Sequence, residues 1–230
     1  MLFFSRQVPA EIQRELEQLR AVKRRADVLD ASCGVGLWDA VLYNADAMHP
    51  QSVWTWSAEF RRLLGFSTAA EFPNAVQSWS DRLHPDDAPR TFEAFANSLK
   101  DTSGRCSYNV DYRLKVRDGS YRWFRATGGC NLDLNKRIHA CGSLIDIHDR
   151  RVAQERVAEE AAAAAKFIAE LSRGLDMMSN GDLAVAIEGE FAGQYAGVKR
   201  DFNAAASRIR EALAEVAGVA EKIQGGSRQI

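Results

Sequence analysis

Cysteine and proline are scarce: the chain has four cysteines and five prolines in 230 residues. Cys33, Cys106, Cys130 and Cys141 fall at unrelated spacings and form no Cys-x-x-Cys. That excludes zinc ribbons, thioredoxin-type chemistry and attached c-type haem, and the four read as reduced, buried thiols. Net charge is lacking too: 30 Lys+Arg stand against 31 Asp+Glu. No basic field exists to hold a phosphate backbone, so no nucleic-acid partner is expected. No apolar run reaches the about 18–20 residues of a membrane-spanning helix. Residues 1–4 (Met-Leu-Phe-Phe) are too short for the apolar region of a signal peptide. No direct membrane span is expected, and the expected compartment is the cytoplasm. A Gly-rich phosphate loop, His-Glu-x-x-His and Gly-x-Ser-x-Gly are all missing, and with them the commonest catalytic frames. Asp86 and Asp87 are adjacent, so on a helix they would diverge by about 100° and form no catalytic pair. The chain does not read as an enzyme.

What is present divides into regions. The apolar share of 46% is enough for a buried core. Residues 10–29 carry Ile12, Leu16, Leu19, Ala26 and Leu29 near a 3–4 spacing, which predicts a helix after Pro9. Lys23 interrupts that stripe, so the helix is expected to pack only on a partner or the next domain. From residue 31 the period changes to two. Cys106, Tyr108, Val110, Tyr112, Leu114 and Val116 alternate with polar residues, the pattern of a half-buried antiparallel strand. Asp118-Gly119 then marks a hairpin. A second strand follows with Tyr121, Trp123 and Phe124, and a third over 138–147. Two earlier strands are expected at 35–43 and 52–57, with helices at 58–64 and 86–99 between. This order predicts an α+β domain with one five-stranded antiparallel sheet and flanking helices.

After residue 150 proline disappears. Val157, Ala161, Ala164, Ile168, Leu171, Leu175 and Met178 form one heptad seam. Ala206, Ile209, Leu213, Val216, Ala220, Ile223, Ser227 and Ile230 form another. Asn180-Gly181-Asp182 stops the first helix. The connector to about Gly193 can span a helix of roughly 33 Å at 1.5 Å per residue, so both helices can point the same way. Leu183, Val185 and Ile187 alternate and can pack on the pair. The half-covered seam predicts an all-α parallel region completed by a second copy, a homodimer with a four-helix bundle. The expected segments are 1–30 amphipathic helix, 31–150 sheet domain, 151–210 relay and 211–230 the start of a coiled coil. Ile230 falls mid-heptad, so the sequence is read as a piece of a longer protein.

Several segments carry a resemblance: Gly36-Leu37-Trp38-Asp39, Glu59 to Phe66, and Trp79 to His84-Pro85-Asp86-Asp87. Later come Tyr112-Arg113, Asp118 to Phe124, and Gly142-Ser143-Leu144-Ile145-Asp146-Ile147. In this order they resemble a PAS sensory domain over about residues 34–149. Gly181-Asp182-Leu183 and Asp201-Phe202-Asn203 resemble elements of a HAMP-like relay. The layout is similar to the N-terminal half of a cytoplasmic methyl-accepting chemotaxis protein. Departures are Phe191 to Tyr195, where that relay has an acidic pair, and Asp146-Ile147-His148, where the PAS exit has Asp-Ile-Thr. The resemblance implies a sensor of a small ligand or of a redox or gas cofactor. Its chemotaxis histidine kinase and coupling protein would be engaged only through a missing C-terminal part.

The candidate pocket residues are Trp38, Trp56, Phe60, Leu64, Trp79, Leu83, Tyr112, Trp123 and Leu144. The aromatics also pack cores well, and the alternative is a concave pocket for a flat ligand. The cofactor stays open among haem b, FAD and none. His84 and His139 are the candidate haem ligands, although His84 before Pro85 reads first as a helix start. Gly104-Arg105-Cys106 does not match the Asn-Cys-Arg of flavin-adduct light sensors, so cysteinyl–flavin photochemistry is not expected. For signal coupling the candidates are Asp146, His148, Arg150, Gly181 and Asp182. No Gly, Pro or Ser falls between Leu144 and Ala165, so a strand shift is expected to be transmitted rather than absorbed. The rival reading is a cofactor-free dimerisation or docking module serving another output, such as a cyclase or kinase. No metal site is expected.

Overall fold

The computed structural model describes residues 9–191 and 193–227. Residues 1–4, Ala192 and Ile230, and the side chains of Leu29 and Ser227, lie outside the described set. Two compact units divide the chain, 1–151 and 152–230. No described helix is long and apolar enough to cross a membrane.

The first unit opens with α1 (Ala10–Ser32). Its stripe of Ile12, Leu16, Leu19 and Val22 stays exposed. The sheet consists of β1 (Val35–Leu42), β2 (Val53–Trp56), β3 (Tyr108–Lys115), β4 (Tyr121–Leu132) and β5 (Ile138–Asp146), all antiparallel neighbours in the order β2-β1-β5-β4-β3. The period-two pattern decides which face is buried. Trp38, Ala40 and Leu42 of β1, Trp54 and Trp56 of β2, and Phe124 and Ala126 of β4 all point inward. Helices α2 (Ala58–Leu63), α3 (Gln77–Ser80) and α4 (Ala88–Ser98) are inserted between β2 and β3, and α2 and α4 pack on the sheet. The short α3 carries no periodic signal and is absent from the sequence expectation.

Three local devices hold the helical side in place. Ser57 caps α2: its hydroxyl accepts from Phe60 N (3.1 Å) and from Leu37 N of β1 (3.0 Å), which ties the helix start to the sheet. Gly36 lets α2 come close, because a Cβ there would lie 2.5 Å from Phe60 Cα. Buried Arg61 donates to the carbonyls of Phe72 (2.9 Å) and Trp56 and to Asn74 Oδ1 (2.7 Å), so its charge stays hydrogen-bonded inside. The expected helix at 86–99 begins at Ala88, with Pro89 in its first turn. Asp86 and Asp87 therefore precede the helix, held in the turn that runs from His84.

Of the four cysteines, Cys130 alone is buried; Cys33, Cys106 and Cys141 are exposed. The expectation of buried thiols fails for those three. Cys141 sits opposite Gly129 and Asp39 on the outer side of the sheet, and Cys106 lies in the loop before β3.

The second unit is built from α5 (His148–Ser179, its first turn belonging to the first unit) and α6 (Gln194–Ser227). Phe167 of α5 packs on Phe191 and Tyr195, and Gly174, one helical stretch further on, takes the ring of Phe202. Both series ascend together, so α5 and α6 run parallel. Between them the connector runs back. Asn203 bonds both the N–H (2.9 Å) and the carbonyl (3.1 Å) of Ile187, while Arg210 reaches the carbonyl of Leu183. Val185 and Ile187 are buried along this return path. The seam expected on α5 is divided. Packing inside the chain uses Phe167 and Gly174, one position off that seam, and leaves Val157, Ile168 and Leu175 exposed. α6 runs through residues 210 and 211 without a break.

Candidate functional site

The inner face of the sheet and the helices over it enclose a box of aromatic rings. β1 supplies Trp38, β2 Trp54 and Trp56, α2 Phe60, α3 Trp79, α4 Phe95, and β3 Tyr108 and Tyr112. Trp38 fits because its strand partner Gly142 and the next strand's Gly128 have no side chains. A Cβ on either would lie within 2.6 Å of the indole. Trp54 stacks on Trp56 (5.3 Å, 20°) and on Trp79 (6.4 Å, 18°), and Phe95 meets Tyr108 edge-on at 5.5 Å, the offset and edge geometries aromatic pairs prefer.

The polar atoms of the box are few. Trp54 and Trp56 send their indole N–H groups out to the carbonyls of Ala47 (3.0 Å) and Ala75 (3.2 Å). Trp79 donates to the Tyr112 hydroxyl at 3.1 Å. The Tyr108 hydroxyl is buried; among the described residues its polar neighbour is the Tyr112 hydroxyl, with which it makes no well-formed hydrogen bond. Burial pushes both phenols well above their ordinary range, so both stay protonated. The cavity left between the rings measures about 10 Å³, the threshold for one water molecule.

Five of the expected pocket residues line this box: Trp38, Trp56, Phe60, Trp79 and Tyr112. Leu64, Leu83 and Leu144 belong to the same core without lining it. Trp123 does not belong to it. It is one residue out of phase with buried Phe124 and lies beside Arg113 and Arg151, outside the core. Trp54 stands among the aromatics of the sequence but outside the candidate set, and sequence reasoning misses Phe95 and Tyr108 as lining residues. Alternation with Trp56 and with Tyr112 would find Trp54 and Tyr108, whereas Phe95 depends on how α4 is placed.

Neither candidate haem ligand reaches the box. His84 takes the Asp86 N–H on Nδ1 (3.2 Å) and lies edge-on to Tyr121 at 4.6 Å. His139 pairs with Asp39 in an open concavity of about 650 Å³ that Cys141 also lines. The residues of the box do not fit a haem, since they include no histidine or cysteine to ligate its iron, and the roughly 10 Å³ left between the rings has no room for a haem or a flavin. Among the described residues no cluster of three His, Cys, Asp or Glu is placed to hold a metal.

The second feature is the exit from the sheet. One residue, Ile147, separates β5 from α5; it is buried, and its N–H bonds to the Trp123 carbonyl at 3.0 Å. Asp146 accepts the His148 N–H (2.8 Å) and pairs with Arg122 (2.9 Å), which also reaches Asp149 (3.1 Å). Arg151 pairs with Asp111 (3.0 Å), already gripped by Arg125 (2.6 and 2.9 Å). The hydrogen bonds of Arg125 hold the Asp111 carboxyl below its usual range. The coupling candidates Asp146 and His148 thus stand at the junction. Arg150 is exposed, and its neighbour Arg151 makes the contacts. Gly181 (φ +86°) and Asp182 end α5: their N–H groups bond back to Met178 and Met177, the pattern of a glycine C-cap. Sequence reasoning also misses Arg122, Asp111, Arg125 and Arg151, since alternating charges on a strand look like an ordinary solvated face.

Residues 53–143 match the family model described as PAS fold, and this segment carries that fold. A curated relative from Pseudomonas chlororaphis, named only as an uncharacterized protein, is 38% identical over 86 residues, 36% of this chain and 33% of its own. The "Peroxide stress-activated histidine kinase mak1" of Schizosaccharomyces pombe is 29% identical over 106 residues, 44% of this chain and 6% of its own. The chain thus spans a third or less of the length of these relatives. Among solved structures, a sensory box histidine kinase/response regulator from Burkholderia thailandensis is similar, with 23% identity, TM-score 0.46, and coverage of 60% of this chain and 97% of that one. The N-terminal domain of a diguanylate cyclase with PAS/PAC sensor from Marinobacter aquaeolei has 20% identity, TM-score 0.41, and coverage of 51% and 98%.

Proposed function

We propose that this chain is a signal-sensing relay without a catalytic step of its own. The PAS-fold segment is the input, and the parallel pair α5–α6 carries its state onward. The observation that carries this reading is the exit: β5 passes into α5 through a single buried residue, and both flanks of that step are gripped by arginine–carboxylate pairs. A joint of this kind transmits displacement. The finer reading is a receptor of the cytoplasmic chemotaxis type, with residues 151–210 acting as a HAMP-like relay in a homodimer. The parallel helices and the returning connector support it. So do the apolar residues that α5 and α6 leave exposed, Val157, Ile168, Leu175, Ile209, Leu213, Val216 and Ile223, which a second copy would cover.

The tight packing of the box favours one alternative, a cofactor-free module that docks or dimerises and serves a kinase or cyclase output. The curated relative named as a histidine kinase supports a kinase output. An absorption spectrum separates the two inputs: a Soret or flavin band in the purified protein would defeat the cofactor-free reading. The relay itself is tested by inserting four glycines after Arg150 in the complete receptor that carries this module. Loss of the response with the sheet domain still folded is expected; an undiminished response would end the proposal.

A further inference from the structure

Outside the aromatic core, Trp123 has a guanidinium on each of two neighbouring elements. Arg113 of β3 and Arg151 of α5 each lie 5.1 Å from its ring centroid, within cation–π range. Each cation is fixed in turn by a carboxylate. Asp87 takes three hydrogen bonds from Arg113: Nε at 2.8 Å, NH2 at 3.1 Å and the backbone N–H at 2.9 Å. Asp111, chelated by Arg125, takes Arg151. Arg113 and Trp123 are register partners, as are Asp111 and Arg125. The array therefore spans β3, β4, the turn before α4, and the first turn of α5.

Its inner end adjoins the box. Arg113 follows Tyr112, which holds Trp79, and Asp87 precedes α4, which carries Phe95. A rearrangement of the box rings that moves Tyr112 or the start of α4 must move Arg113, because bidentate pairing fixes the plane of its guanidinium. Trp123 then changes its contact with Arg151. We propose that Asp87, Arg113, Trp123, Arg151 and Asp111 act as one coupling array that sets the first turn of α5 according to the state of the aromatic box. This is a side-chain route beside the backbone route through Ile147. The inference rests on the reading of α5 as the output helix.

Hydrogen exchange on the whole chain tests it, read at the amides of Ile147, His148 and Arg151, each of which is hydrogen-bonded in the junction. Core amides of β5 serve as the internal reference. Arg113→Gln is expected to raise exchange at these three amides about tenfold, as Arg151→Gln does, and the double variant is expected to add nothing further, because linked residues behave as a unit. An unchanged rate in Arg113→Gln, or effects that multiply in the double variant, would overturn the array. Should Arg113→Gln disturb the reference amides, Arg113→Lys decides. It keeps a cation on Asp87 without the planar guanidinium, and it must still raise exchange at the junction; a wild-type rate refutes the proposal. No stimulus enters this measurement. Its failure removes the array and leaves the relay reading standing, whereas a coupled array with an intact response after glycine insertion removes the relay reading alone.

Discussion

Tyr108 is the residue at which packing and hydrogen bonding conflict. Its ring completes the box against Trp38 and Phe95, yet its hydroxyl is buried and makes no well-formed hydrogen bond among the described residues. An unsatisfied buried hydroxyl costs about 1–3 kcal/mol. Tyr108→Phe keeps the ring and removes that penalty, so stability is expected to rise by about 1 kcal/mol, read as a higher denaturant midpoint at constant slope. A fall would mean that the hydroxyl is bonded in solution, to Tyr112, to water or to a small ligand in the box. Alternation along β3 is enough to put Tyr108 and Tyr112 on one face. The missing partner is not legible in that pattern, because it depends on which atoms of α3 and α4 reach the hydroxyl.

At the scale of elements, the start of α4 is joined to β3 by Asp87. Burial alone would raise the Asp87 carboxyl, but the hydrogen bonds from Arg113 and Arg90 outweigh it and hold it well below the usual carboxylate range. The folded state therefore releases this proton at a lower pH than the unfolded chain does. The resulting stability is present above about pH 4, the unfolded carboxylate value, and is lost as pH falls further. Melting temperatures recorded across the range from about pH 6 to about pH 2.5 should fall at the acid end, and Asp87→Asn should be less stable near neutrality with a flatter acid slope. Equal slopes in the two proteins would show that Asp87 is not the group concerned. Pro85-Asp86-Asp87, taken as a helix start, puts both charges in a first helical turn. The helix instead starts at Ala88, since the strand opposite offers Arg113, and a bidentate partner outweighs a helix dipole worth about 0.3–1 kcal/mol.

For the whole molecule, the proposed homodimer rests on what the helices leave uncovered. α6 continues past the level at which α5 ends, carrying Leu213, Val216 and Ile223 in water. Burying such a side chain is worth about 1.5–3 kcal/mol, so the double variant Leu213→Lys, Val216→Lys is expected to weaken a dimer more than about tenfold. Sedimentation velocity over a concentration series reads this directly. A wild-type chain that stays monomeric at every concentration would remove the homodimer from the proposed relay.

Local pattern alone determined a good deal here: a five-stranded antiparallel sheet, the helices inserted after β2, the stop at Gly181, and a connector long enough to bring two helices parallel. Periodicity and turn chemistry act over a few residues, so one chain suffices to read them. The place of Phe95 in the box lining, the outward place of Trp123, the distance of both histidines from the box, and the arginine–carboxylate array at the exit were decided by tertiary structure. Each depends on strand register and helix placement, which bring together side chains tens of residues apart, as Asp87 with Arg113 and Asp111 with Arg151.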